Sequence, residues 1–171
     1  MGKKTAALVH EGDGLRFMAT TGSGHEIVLD NAEGDTGARP AELVAVAVAG
    51  CTAMDVLSIL RKKRQNVTRY EIKATAEQRD EQPAVFGRID IVHVVDGPTI
   101  DVEAVRRSIE LSATRYCSVG GTLATGLAEI HHRYVVRTGA GDEVMGEVVV
   151  TGPFEDPDRL GQRTTPAVLP I

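Results

Sequence analysis

Hydrophobic positions follow different periods in different parts of this 171-residue chain. Residues 1–30 contain three short, partly β-branched runs, KTAALVH, LRFMATT and HEIVLD, which EGDG and GSG separate, and this pattern predicts strands. From Pro40 to about Arg64 most positions are apolar. This segment predicts one long helix, because Pro40 and Glu42 suit its first turn and the basic run RKKR suits its last turn. Such an apolar helix must be covered on nearly all sides by its own protein or by a partner.

The second half of the chain returns to alternation. VTRYEIKATAEQ (67–78) and FGRIDIVHVVDG (86–97) place apolar and polar side chains on opposite faces, which predicts antiparallel strands with one buried face. DVEAVRRSIELSATRY, opened by Asp101, predicts a second helix, and CSVGGTLATGLAEI a third helical piece. HHRYVVRTG and EVMGEVVVTG predict a closing hairpin around GAGD, and the Pro-rich tail after it has no period. This element order predicts an α+β fold.

The length of the first helix carries a further expectation. At 1.5 Å per residue it spans roughly 35–40 Å, which is longer than a domain of this size is wide. We therefore expect antiparallel sheets wrapped around a long central helix, in an intertwined homodimer. The alternative is a membrane span over residues 41–60 with a basic flank. Glu42 and Asp55 lie inside that segment and oppose insertion, so we expect no membrane partner.

Composition excludes some function classes. The net charge is −5, aromatic residues make up 4% and there is no tryptophan, which argues against a nucleic-acid surface. Two cysteines without a CxxC motif do not form a disulfide framework. The apolar run near the first residue is too short for a signal peptide. We expect a soluble protein in the reducing cytoplasm.

Four interpretations of Cys51 and Cys117 stay open on the residues alone. Both could be small buried core residues, zinc ligands together with His131 or His132, a structural disulfide or a redox pair. Cys117 opens the third helical piece, where backbone N–H groups favour a thiolate. Gly50 leaves room beside Cys51, and Asp55, one turn later, is a polar contact, since a carboxylate disfavours a nearby thiolate.

A resemblance narrows these interpretations. GARPAELVAVAVAGCTAMDVLSILRKKRQ, together with RYCSVGGTL further on, resembles the osmotically inducible protein C (OsmC) and organic hydroperoxide resistance (Ohr) family. The resemblance covers residues 3–137. It implies residues 1–137 as an OsmC-like domain, with 138–171 as a hairpin strand and irregular arm of the same unit. It also implies an intertwined homodimer with active sites at the interface.

The same resemblance implies an activity, thiol-dependent reduction of organic hydroperoxides in oxidative-stress defence. Cys51 would be the peroxidatic thiolate and Cys117 the resolving thiol, and a lipoyl or thioredoxin-like dithiol would reopen the disulfide. No metal or flavin is needed, so we expect no cofactor. The alternative on the same fold is a redox sensor or a binder of small apolar ligands, without catalysis.

The resemblance also implies a Glu–Arg pair beside the first cysteine. Ala41 occupies the position ten residues before Cys51, and Glu42 follows it. The loop that should supply the arginine reads GSGHE, so Arg16 and Arg39 are the nearest substitutes. We take Glu42, Arg39, Arg16 and Asp55 as supporting candidates.

Overall fold

The computed structural model describes residues 2–126, 128–139, 141–152 and 167–168. The chain forms two compact units, Met1–Val44 and Ala45–Ile171. The boundary that we predicted at residue 137 stays a prediction. Most of the predicted irregular arm, residues 153–166 and 169–171, lies outside the described residues.

The first unit is a three-stranded antiparallel sheet. Its strands are β1 (Ala6–His10), β2 (Phe17–Thr21) and β3 (Glu26–Leu29), in the order β1-β2-β3. The three predicted strands are therefore confirmed. The loop after β3 folds back on it, because Ala38 pairs with Leu29 and the Asp30 carboxylate accepts a 2.6 Å hydrogen bond from the Thr36 hydroxyl.

The second unit contains a five-stranded sheet in sequence order. Its strands are β4 (Arg69–Gln78), β5 (Phe86–Gly97), β6 (Glu129–Thr138), β7 (Glu143–Thr151) and β8 (Ala167–Val168). The β6–β7 pairing confirms the predicted hairpin. We expected antiparallel sheets throughout, but β5 and β6 are parallel. The reason is the helical connection between them, which carries the chain back to the end of the sheet where β5 began.

The described residues also form three α-helices, α1 (Glu42–Lys62), α2 (Val102–Leu111) and α3 (Ser118–Ala124), and the first turn of α1 belongs to the first unit. Asp101 caps α2, since its carboxylate accepts a 2.9 Å hydrogen bond from the Glu103 N–H. We predicted that the second helix would continue to Tyr116, but residues Ser112–Tyr116 form a π-helical turn instead. The Cys117 N–H closes this turn on the Ser112 carbonyl at 2.9 Å, so the turn sets where Cys117 lies.

One side of α1 packs into the core, through residues spaced four apart. Val48 joins a cluster with Ile89 and Ile91, while Val56 and Leu60 join a second cluster. Buried Thr52 lies between them along the helix. On the opposite side, among the described residues, Val46 is 63% and Met54 77% exposed. The predicted burial on nearly all sides is therefore not met within the described part of one chain.

Two histidines, on strands β5 and β6 of the five-stranded sheet, are buried in the core. His93 and His132 stack with ring centroids 6.0 Å apart, and Tyr70 Oη lies 2.7 Å from His93 Nδ1. Burial lowers the pKa of His132 to about 4 and holds the pKa of His93 well below its usual range. Both rings are therefore neutral in the folded protein at pH 7.

Candidate redox site

The structure brings the two cysteines together from distant parts of the chain. Cys51 lies in the middle of α1, and Cys117 lies between the π-helical turn and α3. The two sulfur atoms and a carboxylate oxygen of Asp55 all lie within 4.8 Å of one another. Both thiols are free. A disulfide between them would bring the sulfurs to about 2.05 Å, which is a short movement for two side chains.

The two thiols differ in their access to solvent. Cys51 is partly exposed, whereas Cys117 is only 5% exposed. A Cβ atom added at Gly50, next to Cys51, would meet no described atom within 4 Å. A Cβ atom at Gly120 would instead lie 3.3 Å from the Cys117 sulfur. Access to this pair is therefore on the Cys51 side.

Burial controls the chemistry of Cys117. It raises the pKa of the Cys117 thiol to about 12, and the neighbouring Cys51 thiol adds to the effect. The Gly120 N–H donates to the sulfur at 3.2 Å and acts in the opposite direction, but it is outweighed. Our expectation that this helix start would favour a thiolate is wrong, because the sulfur loses more hydration than one N–H replaces.

A chain of hydrogen bonds holds the Asp55 carboxylate in place. The Ser112 hydroxyl donates to Asp55 Oδ2 at 3.1 Å, and Thr52 Oγ1 lies 2.9 Å from the Ser112 hydroxyl. A hydroxyl has one proton, so Ser112 must accept from Thr52 when it donates to the carboxylate. Thr52 and Ser112 are both fully buried.

Sequence reasoning missed Thr52 and Ser112. A signal for Thr52 was present, because it is the one polar residue at four-residue spacing along the buried side of α1. Ser112 had a weaker signal, four residues after another buried serine, Ser108. A buried hydroxyl usually has a hydrogen-bond partner, and here the two partner each other across two helical elements.

Comparison with known proteins gives the chain its family. The sequence model of the family described as OsmC-like protein matches residues 32–131. Protein YhfA of Escherichia coli strain K12 is 42% identical over 124 residues, which cover 72% of this chain and 92% of that protein. The chain belongs to the OsmC-like protein family.

Solved structures agree with this assignment. A hypothetical protein from Aquifex aeolicus VF5 matches with a TM-score of 0.70 at 28% identity, covering 81% of this chain and 98% of that one. An organic hydroperoxide resistance protein from Elizabethkingia anophelis matches with a TM-score of 0.58 at 15% identity, over 81% and 98% of the two chains. At 15% identity the second likeness shows the fold alone. The α+β fold with two sheets and a long helix is thus confirmed for this OsmC-like protein.

Membership of the family also bears on α1. By length and composition alone, Glu42–Lys62 could cross a membrane. However, Val48, Val56 and Leu60 are fully buried against the rest of the second unit. This packing is that of a core helix, so the interpretation of α1 as part of the core agrees with the structure.

Three supporting candidates lie in the other compact unit. Arg16 donates to Glu11 at 3.1 Å and to Thr36 at 2.9 Å. Arg39 contacts Asp35 at 2.8 Å and Glu42 at 3.7 Å, and Glu42 also accepts from the Arg39 N–H. These ion pairs are solvent-exposed and therefore weak. A role for Arg16, Arg39 or Glu42 beside the cysteines stays a prediction.

Among the described residues, Asp55 alone joins the two cysteines as a possible metal ligand. Cys51, Cys117 and Asp55 offer three ligand atoms, and no fourth Cys, His, Asp or Glu joins them among the described residues. The zinc set with a histidine that we considered is not assembled there. His131 instead contacts Glu129 and, at 2.7 Å, Glu147, while His132 lies in the core.

Proposed function

We propose that this OsmC-like protein reduces organic hydroperoxides through Cys51 and Cys117. The observation that carries the proposal is the pairing of an accessible thiol with a buried one, their sulfurs within 4.8 Å. Membership of the OsmC-like family supports a role in peroxide chemistry. Proteins of the same fold include ones named for organic hydroperoxide resistance, in Elizabethkingia anophelis and Bacillus subtilis.

In the first step the Cys51 thiolate attacks the distal oxygen of the hydroperoxide. The O–O bond breaks, an alcohol leaves after taking up a proton, and Cys51 becomes a sulfenic acid. The partial exposure of Cys51 supports its choice as the attacking residue. The apolar residues of α1 around it suit a hydrocarbon substituent on the peroxide.

In the second step the Cys117 sulfur displaces the hydroxyl group of the sulfenic acid, which leaves as water. The product is a Cys51–Cys117 disulfide, and a dithiol reductant of the lipoyl or thioredoxin type reopens it by exchange. A raised pKa keeps Cys117 protonated while the peroxide reacts, which supports its choice as the second thiol. The cycle needs no metal or flavin, and it suits the cytoplasm, where thiols are kept reduced.

Chemical trapping tests this cycle. The reduced protein is treated with one equivalent of cumene hydroperoxide and a dimedone reagent that labels sulfenic acids, and its peptides are analysed by mass spectrometry. We expect a Cys51–Cys117 disulfide in the wild type and a dimedone adduct on Cys51 in Cys117→Ser. Absence of both products would refute the proposal. A disulfide that no dithiol can reduce would favour a sensor over an enzyme.

We also propose that the protein is a homodimer built on α1. The support is the apolar side of this helix that the described part of the chain leaves exposed, including Val46 and Met54 at 63% and 77% exposure. An apolar helix face of this kind usually marks an interface. Sedimentation velocity should therefore give a dimer for the wild type and a monomer for Met54→Glu. The same change at an exposed methionine outside this helix, Met145→Glu on β7 at 67% exposure, should leave the dimer intact. A monomeric wild type would contradict the proposal.

A further inference from the structure

The carboxylate of Asp55 has no role in the two steps above, although it lies within 4.8 Å of both sulfurs. A hydrogen bond from Ser112 holds the Asp55 carboxylate in this position. The Ser112 hydroxyl donates to the carboxylate, and the Ser112 carbonyl accepts the Cys117 N–H at 2.9 Å. One residue therefore fixes both the carboxylate and the backbone of the second thiol. The buried Thr52 hydroxyl completes this arrangement from α1.

We infer that Asp55 is the general base that moves the Cys117 proton during disulfide formation, with Ser112 and Thr52 as the residues that position it. This inference rests on the proposed function. Asp55 is a catalytic residue in this account because its carboxylate lies within 4.8 Å of the reacting sulfurs and takes the proton itself, while Ser112 and Thr52 act through it.

The proton transfer balances without any added reactant. The Asp55 carboxylate takes the proton from the Cys117 thiol as the Cys117 sulfur attacks the Cys51 sulfur. The S–O bond of the sulfenic acid breaks, and the departing hydroxide takes the same proton back from Asp55. The products are the disulfide and one water molecule, and Asp55 is again a carboxylate.

Because it is buried, the Cys117 thiol ionises poorly and requires a base to remove its proton. A thiol whose pKa is raised to about 12 supplies almost no thiolate at pH 7. The charged and titratable groups acting on Cys117 are Cys51 and Asp55, and of these only Asp55 is free to accept a proton once Cys51 is oxidised. General base catalysis of this kind contributes about 10²- to 10⁴-fold.

The test separates the two steps kinetically. The rate of sulfenic acid formation is measured in the Cys117→Ser background, and the rate of disulfide formation in proteins with both cysteines, by acid quenching and mass spectrometry with a chelator present. Asp55→Asn should lower the ratio of the second rate to the first by about 100-fold. The disulfide rate should also become steeply pH-dependent, rising about tenfold per pH unit, because hydroxide must now generate the thiolate.

A matched pair of serines controls for structural damage. Ser108 lies one turn before Ser112, is equally buried, and donates only to the Ala104 carbonyl at 2.6 Å. Ser112→Ala should slow disulfide formation and steepen its pH dependence, whereas Ser108→Ala should do neither. An unchanged ratio in Asp55→Asn, or equal effects of the two serine changes, would overturn the inference.

The inference can fail separately from the proposed function. Diamide places a leaving group on Cys51 without any peroxide, and Cys117 must still lose its proton to displace that group. The Asp55→Asn defect should therefore persist in disulfide formation by diamide. If the wild type is inert to peroxide but Asp55→Asn still forms the disulfide slowly with diamide, the proposed function is refuted and the role of Asp55 is supported. Normal disulfide formation by diamide in Asp55→Asn would refute the role of Asp55.

Discussion

Replacing Cys51 by serine should lower kcat/KM for cumene hydroperoxide by at least about 10³-fold, to the background of the assay, because it removes the nucleophile. A serine hydroxyl is a far weaker nucleophile than a thiolate and cannot form a sulfenic acid. The measurement is peroxide consumption with dihydrolipoamide or a thioredoxin system as the reductant.

Cys117→Ser is the matched control, because it removes the other thiol of the same pair. With the thioredoxin system, which reduces disulfides, this variant should consume one equivalent of peroxide per chain and then stop, since its sulfenic acid has no internal partner with which to form a disulfide. Both variants should show the circular dichroism spectrum of the wild type. Equal turnover by wild type and Cys51→Ser would contradict the assignment, and so would wild-type turnover by Cys117→Ser with the thioredoxin system as reductant.

The protein should lose stability in mild acid because of its buried histidine pair. In the folded state the pKa of His132 is lowered to about 4 by burial, from an ordinary value of 6.5. Above pH 6.5 both states are neutral at this residue. Between pH 6.5 and 4 the unfolded chain binds a proton at this residue and the native state does not. The free energy of unfolding therefore decreases as the pH is lowered. His132 alone should account for a loss of about 3 kcal/mol over that range.

His93 adds to this loss in the same direction, since its pKa is lowered by burial and by the neighbouring His132. The measurement is the free energy of unfolding in urea at fixed protein concentration, at several pH values from 7 to 5. His132→Phe should flatten the curve in this window. Val136→Ala, a core change on the same strand, should lower stability equally at every pH. A wild-type curve that is flat from pH 7 to 5 would contradict neutral burial of the pair.

The pattern of the sequence predicted most of the fold, for reasons that the structure makes clear. Strong local signals are the alternation of apolar and polar residues in β4 and β5 and the apolar run of α1. An aspartate such as Asp101 is a typical N-cap and marks the start of α2. The parallel pairing of β5 with β6 was missed, because two strands of similar alternation do not encode their relative direction. The π-helical turn at Ser112–Tyr116 was missed as well, since its helical periodicity continues that of α2.

The candidate site was predictable only in part. The resemblance to the OsmC family identified Cys51 and Cys117 as the reactive thiols. The one-turn spacing along α1 linked Asp55 to Cys51. Thr52 and Ser112 are sixty residues apart, so their contact depends on the packing of α1 against the π-helical turn. We predicted that the pKa of Cys117 would be lowered, whereas it is raised. The cause is burial of the sulfur, which depends on the whole fold and cannot be seen in the local sequence. Glu42, Arg16 and Arg39 were placed by analogy, and they lie in a separate compact unit.

The stoichiometry of one oxidation cycle tests the central claim most directly. The reduced wild-type protein receives one equivalent of cumene hydroperoxide per chain without reductant, and free thiols, the alcohol product and the Cys51–Cys117 disulfide peptide are quantified together. The account predicts two thiols lost, one 2-phenyl-2-propanol released and one intrachain disulfide formed per chain. Unchanged thiols with intact peroxide would contradict it, as would oxidation at residues other than this pair.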